Sequence, residues 1–163
     1  MKISELNNLI VDFLRDNIDH PDPNHQAADN WIYMDYPRLD ATFPRISVTQ
    51  MGGSGETAGV GDQTSSTAQG QYHPMSYDID VWVKKGNVYT ISLAKKGGSA
   101  LRDYLADLII SEIFGVKESY WKDDEGVIDI TLDSITTAPF DEDTELFRKT
   151  LTFTFTILRD FTE

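Results

Sequence analysis

The chain has no cysteine, only three histidines, and about half as many basic as acidic side chains. Without cysteine there is no disulfide framework, no thiolate metal site and no cysteine nucleophile. Lysine and arginine number 14 against 27 aspartates and glutamates, for a formal charge of −13 at pH 7. A field of that sign does not hold nucleic acid phosphates. Long apolar runs are missing too, since nothing approaches the ~18 apolar residues of a membrane span. The opening stretch MKISELNNLIVDFL is too polar for the apolar segment of a signal peptide. The missing membrane span and signal segment predict a soluble, intracellular protein with no membrane partner; the missing cysteine does not identify a compartment. The acidity itself has three readings: a solubilising surface, a halophilic origin, or a pore lined with negative charge.

What is present suits one domain spanning 1–163. At 163 residues, with 40% hydrophobic and 11% aromatic content, the chain is long and apolar enough to bury a core. The clearest pattern is in the last stretch, ELFRKTLTFTFTILRDF, residues 145–161. Leu151, Phe153, Phe155 and Ile157 alternate with Thr150, Thr152, Thr154 and Thr156. Period-2 alternation predicts a long strand with one apolar and one hydroxyl face.

Earlier segments supply its partners. Leu6, Leu9, Ile10, Phe13, Leu14 and Ile18 recur at helical spacing over 3–18, and the run stops before Pro21. Residues 21–30, PDPNHQAADN, read as a polar loop in which His20 and His25 are solvated rather than metal ligands, since no third ligand has suitable spacing. Residues 31–36 predict a short strand and 45–51 a second. The stretch 51–71 holds six of the eleven glycines and almost nothing to bury, predicting a long flexible loop at about 52–71. It is either a plain surface loop or an arm that orders against a neighbouring subunit. Residues 75–84 predict a strand with Tyr77, Ile79, Val81 and Val83 on one side and Asp78, Asp80 and Trp82 on the other. A turn at 84–87 then predicts a hairpin returning through Leu93, with 94–98 as linker. Residues 99–114 predict a second helix capped by Ser99 and stopped by Gly115, with Leu101, Leu105, Leu108, Ile109 and Ile113 as its stripe. Each such side chain contributes ~1.5–3 kcal/mol on burial, enough together to dock the helix on the Phe face. An acidic loop is expected at 118–126. A strand follows at 127–135, with Ile128, Ile130 and Leu132 inward. The fold class is therefore α+β, a mostly antiparallel sheet with two amphipathic helices packed on one face.

No catalytic, cofactor-binding or metal-ligating set stands out. There is no nucleophile elbow and no phosphate-loop ending. Asp78 and Asp80 point the same way along one strand, as paired carboxylates for acid–base or metal work would. The alternation of their neighbours also makes them a solvent face. The acids at 141–145 lack the spacing of a calcium loop.

The element order and strand texture carry a resemblance. A helix leads to a strand entered through proline (FPRISVTQ) and a glycine-rich excursion. Then come a strand YDIDVWVK, a helix LRDYLADLIISEIF, a strand GVIDITLDS, an acidic linker and the Thr/Phe strand FRKTLTFTFTIL. Over nearly its whole length the chain resembles the tail terminator, or tail-completion, family of long-tailed, siphovirus-like bacterial and archaeal viruses. Its departures are the strand expected at 87–93 and the length of the glycine-rich loop. The resemblance implies a virion protein of the neck, assembled in the host cytoplasm as a homo-oligomer, a hexameric ring. That ring caps the tail tube, stops its polymerisation and joins it to the head-completion (connector) protein, with DNA passing through the lumen unbound. Under this reading Asp78, Asp80, Asp129 and Asp133 are candidates for an acidic lumen face. Gly53, Glu56, Val60, Asp62, Trp82, Ile110 and Phe114 are candidates for contacts between subunits or rings. The alternatives are another neck or tail-tube protein (stopper, adaptor or baseplate), a small α+β binding domain, or a hydrolase using Asp78 and Asp80.

Overall fold

The computed structural model describes residues 1–26, 29–35, 42–53, 56–57 and 68–162, with backbone alone at 56–57, 68–70 and 160–162. The elements are α1 (Ile3–Asn17), β1 (Ile32–Met34), β2 (Arg45–Gly53), β3 (Glu56–Thr57), β4 (Ala68–Lys84), β5 (Val88–Ile91), β6 (Ala94–Gly97) and α2 (Gly98–Gly115). A π-helical segment (Lys117–Asp124), β7 (Val127–Thr137) and β8 (Leu146–Thr162) complete them. The architecture is α+β. One sheet runs β1–β2–β4–β8–β7, with the two-residue β3 also on β4, and β5–β6 form a separate ribbon. Among the described residues only the β1–β2 pairing is parallel.

β4 and β8 form the spine. Each is 17 residues long, and they pair antiparallel from Ala68 opposite Thr162 to Lys84 opposite Leu146. The alternation expected of β8 holds, with Leu151, Phe153, Phe155 and Ile157 buried. From β4, Tyr77, Ile79, Val81 and Val83 join them. α1 buries Leu6, Ile10, Val11, Phe13 and Leu14, and α2 buries Leu101, Leu105, Ala106, Ile109 and Ile113, into the same core. Polar ties fix both helices. The Tyr77 hydroxyl donates to Asn7 Oδ1, and Asn7 Nδ2 donates to Gln50 Oε1 at 3.1 Å; burial pushes the Tyr77 phenol up from its ordinary value. Lys149 reaches through the helix-bearing side of the sheet to Asp103 of α2 at 2.7 Å. Burial acts to raise the Asp103 carboxyl, but its bonds to Arg102 and Lys149 outweigh this and hold it low.

Several expectations are corrected. The strand expected to return against β4 does not, because β2 and β8 already occupy both its edges; β5 pairs with β6 instead, and the expected linker 94–98 is largely β6. Consequently α2 starts at Gly98 with Gly97 as N-cap, and Ser99 makes no cap. Gly98 has φ +55, and a Cβ there would lie 3.2 Å from the Phe147 ring, so the ribbon-to-helix corner needs glycine. Gly115 is the last residue of the helix, and Val116 is its C-cap.

The expected acidic loop at 118–126 is mostly π-helical, closed by the bonds Trp121 N–H to Val116 O (3.4 Å) and Glu125 N–H to Tyr120 O (2.9 Å). It delivers Trp121, fully buried, against Phe13 (4.6 Å), Tyr120 (5.1 Å) and Phe155 (5.3 Å). In β7, bulges at 127–129 and 132–134 shift the register, so Val127 and Ile130 are buried while Ile128 faces out. The described ends of the expected 52–71 loop are strand. Residues 52–53 belong to β2 and pair with β4, and 68–71 belong to β4, where β8 continues far enough to pair the backbone.

Candidate functional site

The face of the sheet opposite the helices is built in register from β2, β4, β8 and β7. Ser47 lies opposite Asp80, Asp80 opposite Thr150, and Thr150 opposite Thr136. One row along, Thr49 lies opposite Asp78, Asp78 opposite Thr152, and Thr152 opposite Ser134. Period 2 places these polar side chains together, and the paired strands bring carboxylates against hydroxyls.

The carboxylates are engaged rather than bare. Asp80 accepts from the Thr150 hydroxyl and from Arg148 Nε at 2.9 Å. It is only 2% exposed, which corrects its expected place on an open acidic face. The cover comes from the same face: Arg148 lies 4.6 Å over the Trp82 ring, Arg45 stacks on that ring at 5.7 Å, and Trp82 Nε1 donates to Ser47 Oγ at 3.2 Å. Asp78 accepts from Thr152 at 2.7 Å. Asp133 takes the hydroxyls of Thr131 (2.8 Å) and Thr154. Asp129, on the edge strand, is bridged by Lys117 at 2.6 Å; that bond holds its carboxyl low against the opposing pull of burial. Of the four expected lumen acids, Asp80 and Asp129 are therefore neutralised by cations, and Asp78 and Asp133 keep hydroxyl donors alone among the described residues.

The other sequence candidates scatter. Trp82 is half-buried beneath the two arginines, so its own chain covers it. Ile110 and Phe114 pack against the core, Phe114 lying 6.0 Å from the Phe153 ring. Gly53 ends β2 opposite Met75 and lines a groove of about 420 Å³ with Met51, Pro74, Ser76 and Thr154. Glu56 is in β3 opposite Tyr72, and Val60 and Asp62 lie outside the described residues.

Sequence reasoning missed a cavity of about 660 Å³ beyond the C-terminal end of α1, lined by Arg15, Asp16, Asp19, His20, Asp22, His25, Asp29 and Trp31. His20 and His25 lie in a loop as expected, but each is half-buried rather than fully solvated. They stack face to face, centroids 3.8 Å apart, with Trp31 and Tyr89 edge-on to His20. Burial and the neighbouring His25 lower the His20 pKa, with Asp22 opposing. The signal was two histidines five residues apart, with Pro21 and Pro23 between them and Trp31 following. Among the described residues no cluster of three or more His, Cys, Asp or Glu has the arrangement of a metal site, and no helix is long and apolar enough to cross a membrane. No protein-family model matches the chain, and no curated protein matches it.

Proposed function

We propose that the chain is a structural virion protein, a tail terminator, acting as a ring at the head-proximal end of the tail tube. There it stops tube polymerisation and joins the tube to the head-completion protein. The observation that carries this reading is the face of β4 and β8 opposite the helices, whose hydroxyls and carboxylates satisfy one another. Such a face has no need of an apolar covering layer, and the charge left on Asp78 and Asp133 repels phosphate rather than binding it. It suits a lumen wall past which DNA slides. The same hydrogen bonds favour a non-enzyme over a hydrolase, because Asp80 is buried and its Oδ1 already accepts from Thr150 and Arg148. The sequence texture from FPRISVTQ to FRKTLTFTFTIL supports the family.

The test is the native mass by light scattering or native mass spectrometry, at low and at molar salt. Six copies of the 18.4 kDa chain, about 110 kDa, are expected under at least one condition. A monomer under both conditions overturns the ring. A smaller closed oligomer would move the chain to another neck component.

A further inference from the structure

We infer that the β5–β6 ribbon is a docking arm that seats on an acidic surface of a second copy of this chain; this inference rests on the ring reading above. The ribbon leaves the main sheet and, among the described residues, its two strands pair only with each other. At its tip, Ser92 and Leu93 have φ +50 and +66, so both central residues of the turn are left-handed. That turn is made at least cost by Asn-Gly, and a leucine there is strained. Leu93 is nonetheless 101% exposed, and Val88 at the base is 52% exposed. A side chain that is strained and wholly in water adds nothing to the isolated subunit, and a contact outside the subunit gives it something to bury against.

Charge identifies the occupant. Lys84, Lys85, Lys95 and Lys96 fall in the stretch 81–101, which has no aspartate or glutamate. A chain of net charge −13 thus places the adjacent Lys95 and Lys96 on this ribbon, with Lys84 and Lys85 at the turn that leads into it, and leaves the remainder still more acidic. Lys84 and Lys95 have no ion pair among the described residues, and the Lys85–Glu145 pair is long, 4.0 Å, and exposed. An exposed leucine two residues from a lysine pair fits a protein surface rimmed with carboxylates, which this chain supplies. A duplex backbone would meet the lysines and leave the leucine in water. The base of the arm is held: Tyr89 packs on the core, and Gly97 fits beneath Val88, where a Cβ would come within 2.7 Å of its methyl group. A fixed base lowers the entropy lost on docking. An arm on one copy and an acidic seat on the next can be arranged head to tail, the arrangement that closes into rings.

The experiment uses the full chain in the salt where the wild-type ring forms. The double substitution Ser92→Asn with Leu93→Gly keeps the turn, indeed favours it, and removes the apolar tip; Lys95→Glu with Lys96→Glu reverses the charge. Each is expected to weaken assembly by at least about tenfold while the circular dichroism spectrum stays that of the wild type. Zero-length carbodiimide cross-linking is expected to join Lys95 or Lys96 of one copy to a carboxylate of another. Rings that form equally well with both variants overturn the arm and leave the ring reading standing. A wild-type chain that stays monomeric overturns both. Loss of binding to a duplex DNA probe with the ring intact overturns the arm in favour of a nucleic acid contact.

Discussion

The two faces of the β4–β8 pair solve the same problem in opposite ways. On one, Leu151, Phe153, Phe155 and Ile79 have only apolar surface to offer, so two helices and the Trp121 segment must cover them. On the other, Asp80 is nearly as buried as those phenylalanines, yet no helix lies over it among the described residues. Its shelter is made in the plane of the sheet, from Thr150, Arg148 and Trp82. A burial pattern therefore does not by itself reveal a covering layer. Apolar surface needs an added layer to leave water, whereas a carboxylate needs donors placed by strand register.

The largest break in that comparison is expected on the apolar side. Phe155→Ala removes the ring against which Trp121 and Tyr77 pack, and is expected to cost about 3–5 kcal/mol by denaturant unfolding. A cost under about 1 kcal/mol would mean the helical layer does not depend on that ring. On the polar side, Asp80→Ala strips Arg148 and Thr150 of their acceptor, with an expected cost of about 3 kcal/mol. Asp80→Asn should cost roughly half as much, because the amide oxygen still accepts from Thr150. If both substitutions are neutral, the network does not hold the face together. Thr152→Val tests a single hydroxyl on the half-buried Asp78 and should cost about 1 kcal/mol, since water can replace the donor.

The smallest effect is in pH. His20 has a folded pKa below its ordinary 6.5, so the fold favours its neutral form. Its contribution is present above pH 6.5 and lost as the pH falls through the lowered value. Asp103 and Asp129, also held low, contribute above their ordinary 3.8 and lose that contribution only in more acidic solution. Melting temperature measured from pH 7.5 to 5 should therefore fall in the wild type and fall less in His20→Gln. Equal slopes would remove the stacked histidines from the account.

Patterns of period 2 or 3.6 were legible in the sequence. β8, the later part of β4 and the stripes of both helices follow directly from Thr/Phe alternation and from apolar residues three and four apart. What was not legible depended on neighbours distant in sequence. The detour of β5 into its own ribbon follows from β2 and β8 flanking β4, which no local pattern records. The burial of Asp80 needs Arg148, 68 residues away. Trp121 was hidden by its acidic neighbours, although an adjacent Tyr-Trp pair in so polar a stretch was a signal of an anchor. Ile128 was misplaced because a bulge reverses the side a residue faces while leaving the alternation intact. Of the acidic face, the residue types and the side were legible; their neutralisation was not.

The register of the spine has a kinetic consequence. Tyr77 meets Phe153 and Lys84 meets Leu146, so the central ladder joins segments more than sixty residues apart, with the β5–β6 ribbon, α2 and β7 between them. During synthesis β8 is the last of these strands to emerge, and until it does β4 has an open edge on one side and β7 has no partner at all. Folding governed by such distant pairings is slow, and its waiting intermediates present bare strand edges to other chains. High-level expression should therefore favour inclusion bodies over soluble protein, and slower synthesis at low temperature should shift the balance back.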